Sequence, residues 1–252
     1  TYLPGGSGTN VMVQASRLGA STGFMGLLGS DTLGDDIIKS LKAEGMDTSR
    51  VLRKEGGISL HTDIVVDSEG KKFILLNMGD SFLAYDPKDV DKDYISTAKV
   101  YYNMQVDLYT MNGFGASKED VLGSLKYVDL FAPCRSGLYQ ICGTEDLDEC
   151  LGYVRKHFKG TLLVTLGSKG AVAFDENDRR YECAARNVKA VDTTGAGDSF
   201  MGAMLYTYLL GGMELGRAME FATVCSAITC QGLGARSTPT KAQVEAVLSQ
   251  TF

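Results

Sequence analysis

The residues of this 252-residue chain best suited to chemistry are Val191-Asp192-Thr193-Thr194-Gly195-Ala196-Gly197-Asp198-Ser199-Phe200, just ahead of an apolar segment with helical spacing. Small residues at 195–197 let successive backbone N–H groups turn toward one point at a helix N-terminus, where the dipole and unpaired donors favour an anion. Gly195, Ala196 and Gly197 therefore read as an oxyanion or phosphate cradle. A carboxylate at the edge of that cradle is repelled by bound phosphate unless it has a proton to take from a nucleophile, which makes Asp198 a candidate general base. The plainer reading is a glycine-rich turn with Asp198 as a helix cap. Glycine is also the compositional outlier, 30 of 252 residues, or about 12% where roughly 7% is usual. A second cluster, Gly5-Gly6-Ser7-Gly8-Thr9-Asn10, opens the chain.

Positioning these residues requires elements that the hydrophobic pattern supplies. Residues 10–18, with Val11, Val13, Ala15 and Leu18, read as a short helix, residues 24–28 as a buried strand. Residues 35–44 place Ile37, Ile38 and Leu41 on one helical face and stop at Gly45, with a turn through Asp47 and Thr48. The β-rich segments 58–66 and 71–77 flank Asp67-Ser68-Glu69-Gly70 as a hairpin. Further strands are expected at 99–104, 127–132, 161–165 and 171–174, and helices at 145–158, 199–210, 215–230 and 241–248. This alternation predicts an α/β fold with a doubly wound, mostly parallel sheet and helices on both faces, plus a small β hairpin.

Composition excludes several classes. Hydrophobic residues at 44% and charged residues at 22% describe a globular chain and argue against disorder. With 25 basic and 31 acidic residues and no basic run, nucleic acid is not an expected partner. The longest largely apolar stretch, 201–213, contains three glycines and falls short of the roughly 20 residues that cross a bilayer, so no membrane partner is expected. Six cysteines without a C-x-x-C pair, beside two histidines, make a poor zinc set and suit free thiols in a reducing, cytoplasmic setting.

Asp192-Thr193-Thr194-Gly195-Ala196-Gly197-Asp198-Ser199-Phe200 resembles the C-terminal signature of the ribokinase-like (PfkB) carbohydrate kinases, and Gly5-Gly6-Ser7-Gly8-Thr9-Asn10 resembles their N-terminal signature. The resemblance runs on through Gly29-Ser30-Asp31-Thr32-Leu33-Gly34, Thr165-Leu166-Gly167-Ser168-Lys169-Gly170 and Gly234-Ala235-Arg236-Ser237-Thr238-Pro239, covering nearly the whole chain. It implies one ribokinase-like domain over 1–252 that uses ATP and Mg²⁺ to phosphorylate a sugar or nucleoside hydroxyl. Asp198 would be the catalytic base and the backbone of Gly195, Ala196 and Gly197 the anion hole. Gly5, Gly6 and Asn10 would hold sugar hydroxyls, and Thr165, Gly167 and Gly170 would lie under the ATP. Asp192, with the loop near Gly234 and Ser237, would flank a monovalent cation such as K⁺. The hairpin at about 58–77 would be a lid over the sugar, pairing with a second subunit's lid in a homodimer. Asn103 and Gln105, two apart at a strand end, face one side and are further candidates for hydroxyl contacts.

Three departures qualify these expectations. Pro133-Cys134-Arg135-Ser136-Gly137 stands where the family carries N-x-x-E, so either Mg²⁺ is held by ATP phosphates and water or activity is weakened. The chain opens on Thr1 with no counterpart of the family's first strand, and little chain separates Tyr109 from Tyr127 for the usual helix and strand. Missing segments are the expected explanation. The competing classes are a dinucleotide-dependent oxidoreductase, for which Gly6 and Gly8 lack the third glycine, a P-loop NTPase, whose motif is absent, and a catalytically weakened sugar or nucleotide sensor.

Overall fold

A computed structural model of the chain describes residues 3–66, 72–81, 84–102 and 117–249. In chain order the elements are α1 (Ser7–Leu18), β1 (Gly23–Gly29), α2 (Thr32–Ala43), β2 (Asp47–Lys54), β3 (His61–Val66), β4 (Lys72–Asn77), α3 (Lys92–Ser96), α4 (Lys118–Ser124), β5 (Leu130–Phe131), α5 (Arg135–Cys142), α6 (Leu147–His157), β6 (Thr161–Thr165), β7 (Ala171–Phe174), β8 (Arg180–Cys183), α7 (Ala196–Met204), α8 (Leu215–Cys230) and α9 (Lys241–Ser249).

Strand periodicity decides how the C-terminal half packs. Along β6, Leu163 faces a cluster with Val11 and Leu18 of α1, Phe200 and Met204 of α7, and Ala222 and Cys225 of α8. Leu162 and Val164 face the opposite way, against Leu138 of α5 and Leu151 and Val154 of α6. One strand thus feeds two cores, and helices cover both faces as the alternation predicted. Leu162, Leu163 and Val164 are all 0% exposed, each contributing on the order of 1.5–3 kcal/mol of burial. The sheet runs β5-β6-β7-β8, with β5–β6 parallel and β6–β7 and β7–β8 antiparallel. β1 and β2 form a separate parallel pair. Among the described residues, no helix is long and apolar enough to cross a membrane.

Several expectations need correction. The first helix begins at Ser7, placing the N-terminal glycine cluster at its start. β1 was expected to be buried, yet positions 24–28 are half-buried, since β2 alone pairs with it among the described residues. Asp47 and Thr48 do not turn but open β2, whose charged residues Arg50, Arg53 and Lys54 hid its β character. Residues 99–102 form no strand, and 103–104 lie outside the described residues. The strand expected at 127–132 shrinks to Leu130–Phe131, because the preceding Leu125–Tyr127 is a 3-10 turn. A helix does fit before it: α4 carries a capping box between Ser117 and Asp120. α7 starts three residues earlier than its apolar spacing suggested and passes into a π-helical stretch at Leu205–Leu210.

The hairpin is present, but only from His61, pairing β3 with β4 antiparallel; its expected turn lies outside the described residues. Residues 58–60 are irregular and lead into β3 instead. Asp31 caps α2, with Oδ1 accepting from Gly34 N–H at 2.9 Å and from Ser59 Oγ at 2.6 Å, while Oδ2 accepts from Ser59 N–H at 2.9 Å. Burial pushes the Asp31 carboxyl upward, and the Ser59 and Gly34 hydrogen bonds outweigh it and hold the group below its ordinary value. On the returning side, Asp80 accepts from Ile58 N–H and pairs with Lys54 at 3.0 Å. Gly29 lets this segment lie against β1, for a Cβ there would stand 2.3 Å from the Gly57 carbonyl oxygen.

Candidate active site

The site is assembled where the N-terminal turns of α1 and α7 meet. Gly195 is the N-cap of α7, with φ +80°, and a Cβ there would stand 2.3 Å from Ala235 O; glycine is required both by conformation and by space. Asp198 is therefore not the cap but lies in the first turn, where backbone N–H groups lack intrahelical partners. The Ala196 N–H turns back to Thr193 O at 3.3 Å, and the first intrahelical bond runs from Ser199 N–H to Gly195 O. Gly197 differs from Gly195: its φ is not positive and a Cβ would meet nothing within 4 Å, so the turn beside it is open to a ligand.

α1 presents polar side chains to that turn. Ser7 Oγ donates to Asp198 Oδ1 at 2.5 Å, and Asn10 Nδ2 donates to Asp198 Oδ2 at 2.8 Å. Gly6, with φ +92°, is the N-cap of α1, and the Thr9 hydroxyl donates back to the carbonyls of Gly5 and Gly6. Asn10 is buried inside the helix, not at its cap; its N–H bonds to Gly6 O. The helices can approach this closely because Gly202 of α7 offers no side chain at the crossing, where a Cβ would lie 2.4 Å from Val11 O. Behind the carboxylate, Ser199 Oγ donates to Gln14 Oε1 at 2.7 Å and accepts from Thr238 Oγ1 at 3.1 Å, all three residues being buried. Tyr102 lies near as well. Burial, and then the Asp198 charge, push its phenol up to about 12, so it stays protonated and able to donate.

Of the residues singled out in the sequence, Gly5, Gly6, Asn10, Gly195, Ala196, Gly197 and Asp198 are thus brought together. Asn103 and Gln105 lie outside the described residues. Thr165 ends β6 and bridges to Cys134 at the start of α5. Gly167 and Gly170 form the following turn with φ of +62° and +95°, and Gly170 packs so tightly on β8 that a Cβ would overlap Cys183 O. Asp192 Oδ1 accepts from Thr194 N–H and Oγ, and Oδ2 accepts from Gly234 N–H at 3.0 Å, which ties the two loops expected to flank a cation. Among the described residues, no group of three His, Cys, Asp or Glu side chains is placed to hold a metal ion. Sequence reading gave no role to Ser7, Tyr102 or Arg236, whose importance rests on partners more than 90 residues away. A signal for Ser7 was its place inside the first glycine cluster.

The pfkB family carbohydrate kinase model matches residues 1–105 and 103–242. The chain belongs to the pfkB family of carbohydrate kinases. Among its relatives, an ATP-dependent ribose-1-phosphate kinase of Halopiger xanaduensis is 29% identical, with 98% of this chain and 87% of that protein covered. A fructokinase of Solanum tuberosum is 27% identical over 92% of this chain and 82% of its own length. In three dimensions, Arabidopsis thaliana ribokinase, solved with ribose and ATP, superposes with a TM-score of 0.83 at 23% identity, covering 97% of this chain and 87% of that one. These named relatives phosphorylate different sugars, so family membership makes this chain a carbohydrate kinase without selecting its substrate.

Proposed function

We propose that this pfkB-family kinase transfers the γ-phosphoryl group of ATP to a hydroxymethyl group of a sugar or sugar derivative, with Asp198 as general base. The observation that carries the reading is the carboxylate's place: its two oxygens are held by α1 while it stands in the open first turn of α7. The acceptor hydroxyl takes over from Ser7 as donor to Oδ1. Its oxygen then bonds to the γ-phosphorus, the bridging bond to ADP breaks, and the proton passes to Asp198. The backbone of Gly195, Ala196 and Gly197 stabilises charge on the transferring group, the larger contribution in phosphoryl transfer. Gly5, Gly6, Asn10 and Asn103 bind sugar hydroxyls in this reading, and Thr165, Gly167 and Gly170 support the nucleotide. When bound, Mg²⁺ neutralises phosphate charge; lacking a protein cluster among the described residues, it would enter on ATP with its water shell. A monovalent cation such as K⁺ beside Asp192 belongs to the same proposal.

The lid reading extends it to a homodimer. Val65, Phe73 and Leu75 are exposed on one face of the hairpin, and Ile64 and Leu76 on the other. A two-stranded ribbon that is apolar on both faces needs two covers, which a sugar-bearing cleft and a second lid would supply. The test of the chemistry is ATP consumption across a panel of sugars and nucleosides. Asp198→Asn should lower kcat by roughly 10²- to 10⁴-fold while leaving the fold intact. Turnover unchanged in that variant would remove Asp198 as base, and an inactive wild type that still binds sugar would favour a sensor.

A further inference from the structure

Arg236 is a half-buried cation whose hydrogen-bond acceptors are all neutral. Nε donates to Asn10 Oδ1 at 3.2 Å, one terminal nitrogen to Ser40 Oγ at 3.1 Å, and the other to Gly5 O and Thr9 Oγ, each at 3.1 Å. A guanidinium taken out of water with no carboxylate hydrogen-bonded to it is costly; the charge of nearby Glu44 offsets part of that cost, and four directed donations satisfy its N–H groups. Three of those donations, to Gly5, Thr9 and Asn10, reach the start of α1, the element that holds Asp198, and the fourth reaches Ser40 of α2. The backbone around Arg236 is itself pinned: Arg17 donates to Arg236 O at 2.8 Å and Thr238 O at 2.7 Å, and Gln14 donates to Pro239 O at 3.0 Å. One residue earlier, Ala235 packs against the glycine N-cap of α7.

The amide of Asn10 has two orientations related by a half-turn. In the one observed, its oxygen meets the Arg236 Nε–H and its NH₂ meets the Asp198 carboxylate. The reverse would set donor against donor at Arg236 and acceptor against acceptor at Asp198. The cation and the carboxylate therefore enforce the same choice from opposite ends. We infer that Arg236 is a positioning residue for phosphoryl transfer, locking the Asn10 amide so that it presents N–H to Asp198 and fixes the direction of that carboxylate. This rests on the reading of Asp198 as the base.

A double-mutant cycle tests it, using the sugar turned over best among D-ribose, D-fructose and ribose 1-phosphate. Arg236→Met should lower kcat about tenfold or more in the wild-type background and have little further effect in Asn10→Ala, because the two act through one contact. Arg236→Lys, which keeps the charge but not the fork, should recover part of the loss. Thermal unfolding of each variant shows whether it is folded, and Arg236→Lys completes the cycle if Arg236→Met is not. In sugar-free protein, the Asn10 side-chain NH₂ resonances, assigned by their loss in Asn10→Ala, should shift in the Arg236 variants. Losses that multiply in the double variant, or unshifted Asn10 resonances, would overturn the inference. Asp198→Asn run alongside keeps the two claims apart: wild-type turnover there removes the base, whereas an inactive Asp198→Asn with multiplying Arg236 and Asn10 effects removes Arg236 alone.

Discussion

Gly202 lies one turn beyond Asp198 on α7, and the crossing it permits can be tested by adding a single methyl group. A Cβ there would stand 2.4 Å from the Val11 carbonyl oxygen and 2.6 Å from Gln14 Cβ, where ordinary contact begins near 3.4 Å. Because the nearest obstacle is backbone, Gly202→Ala must open the crossing by 3.4 − 2.4 = 1.0 Å. Two effects on stability oppose each other: alanine gains about 1 kcal/mol of helix propensity over glycine, and overpacking costs about 1–3 kcal/mol. The net loss is about 0–2 kcal/mol, a Tm lower by no more than about 8 °C in a chain of this size. Activity should suffer more. The same displacement carries Ser7 and Asn10 away from Asp198, stretching bonds of 2.5 and 2.8 Å beyond hydrogen-bonding range, and misplacement of about 1 Å costs on the order of 10²-fold in rate. Sugar-dependent ADP release and thermal unfolding measure the two effects. Gly152→Ala on α6 is the control, since its Cβ meets nothing within 4 Å; its Tm should rise slightly and its kcat stay put. Wild-type kcat in Gly202→Ala would refute the claim that this crossing aligns the site.

Gly197→Val should keep the fold, because its backbone is not in the left-handed region and the space is open, yet lose phosphoryl transfer; an active variant would dismiss the anion cradle. Gly195→Ala, by contrast, should lower Tm as well, through the clash with Ala235 O. Replacing 63–72 with a short Gly-Ser link should turn the proposed dimer into a monomer and raise sugar-independent ATP hydrolysis, read by light scattering and phosphate release; a variant that stays dimeric and sugar-dependent would contradict the lid proposal. Glu44 accepts two hydrogen bonds from Arg17, chiefly responsible for holding its carboxyl below the ordinary 4.5. With the folded value depressed, its stabilisation is present above 4.5 and lost as pH falls through the lowered value. Denaturant unfolding of wild type and Glu44→Gln across that range should therefore converge in acid, and a gap independent of pH would show that the ion pair is not its source.

What the sequence determined by itself was local. Helical spacing and turn residues placed α8, β6 and β7 within a residue of their observed ends, since each element's pattern is complete within its own segment. The glycine turn ahead of α7 was legible for the same reason, but apolar spacing began the helix at 199, and only the structure puts Gly195 at its N-cap and Asp198 in its first turn. β2 escaped notice because its half-exposed, charged face imitates a loop until β1 is beside it. Ser7, Gly202 and Arg236 were illegible for a stronger reason. A serine in a glycine cluster, a glycine in an apolar helix and an arginine in a closing loop are ordinary residues in sequence. They acquire roles once packing sets Ser7 against Asp198, Gly202 against Val11, and Arg236 against an asparagine 226 positions earlier. Which side chain orients the carboxylate is thus decided by the crossing of α1 over α7, a contact between residues 191 positions apart that no local pattern encodes.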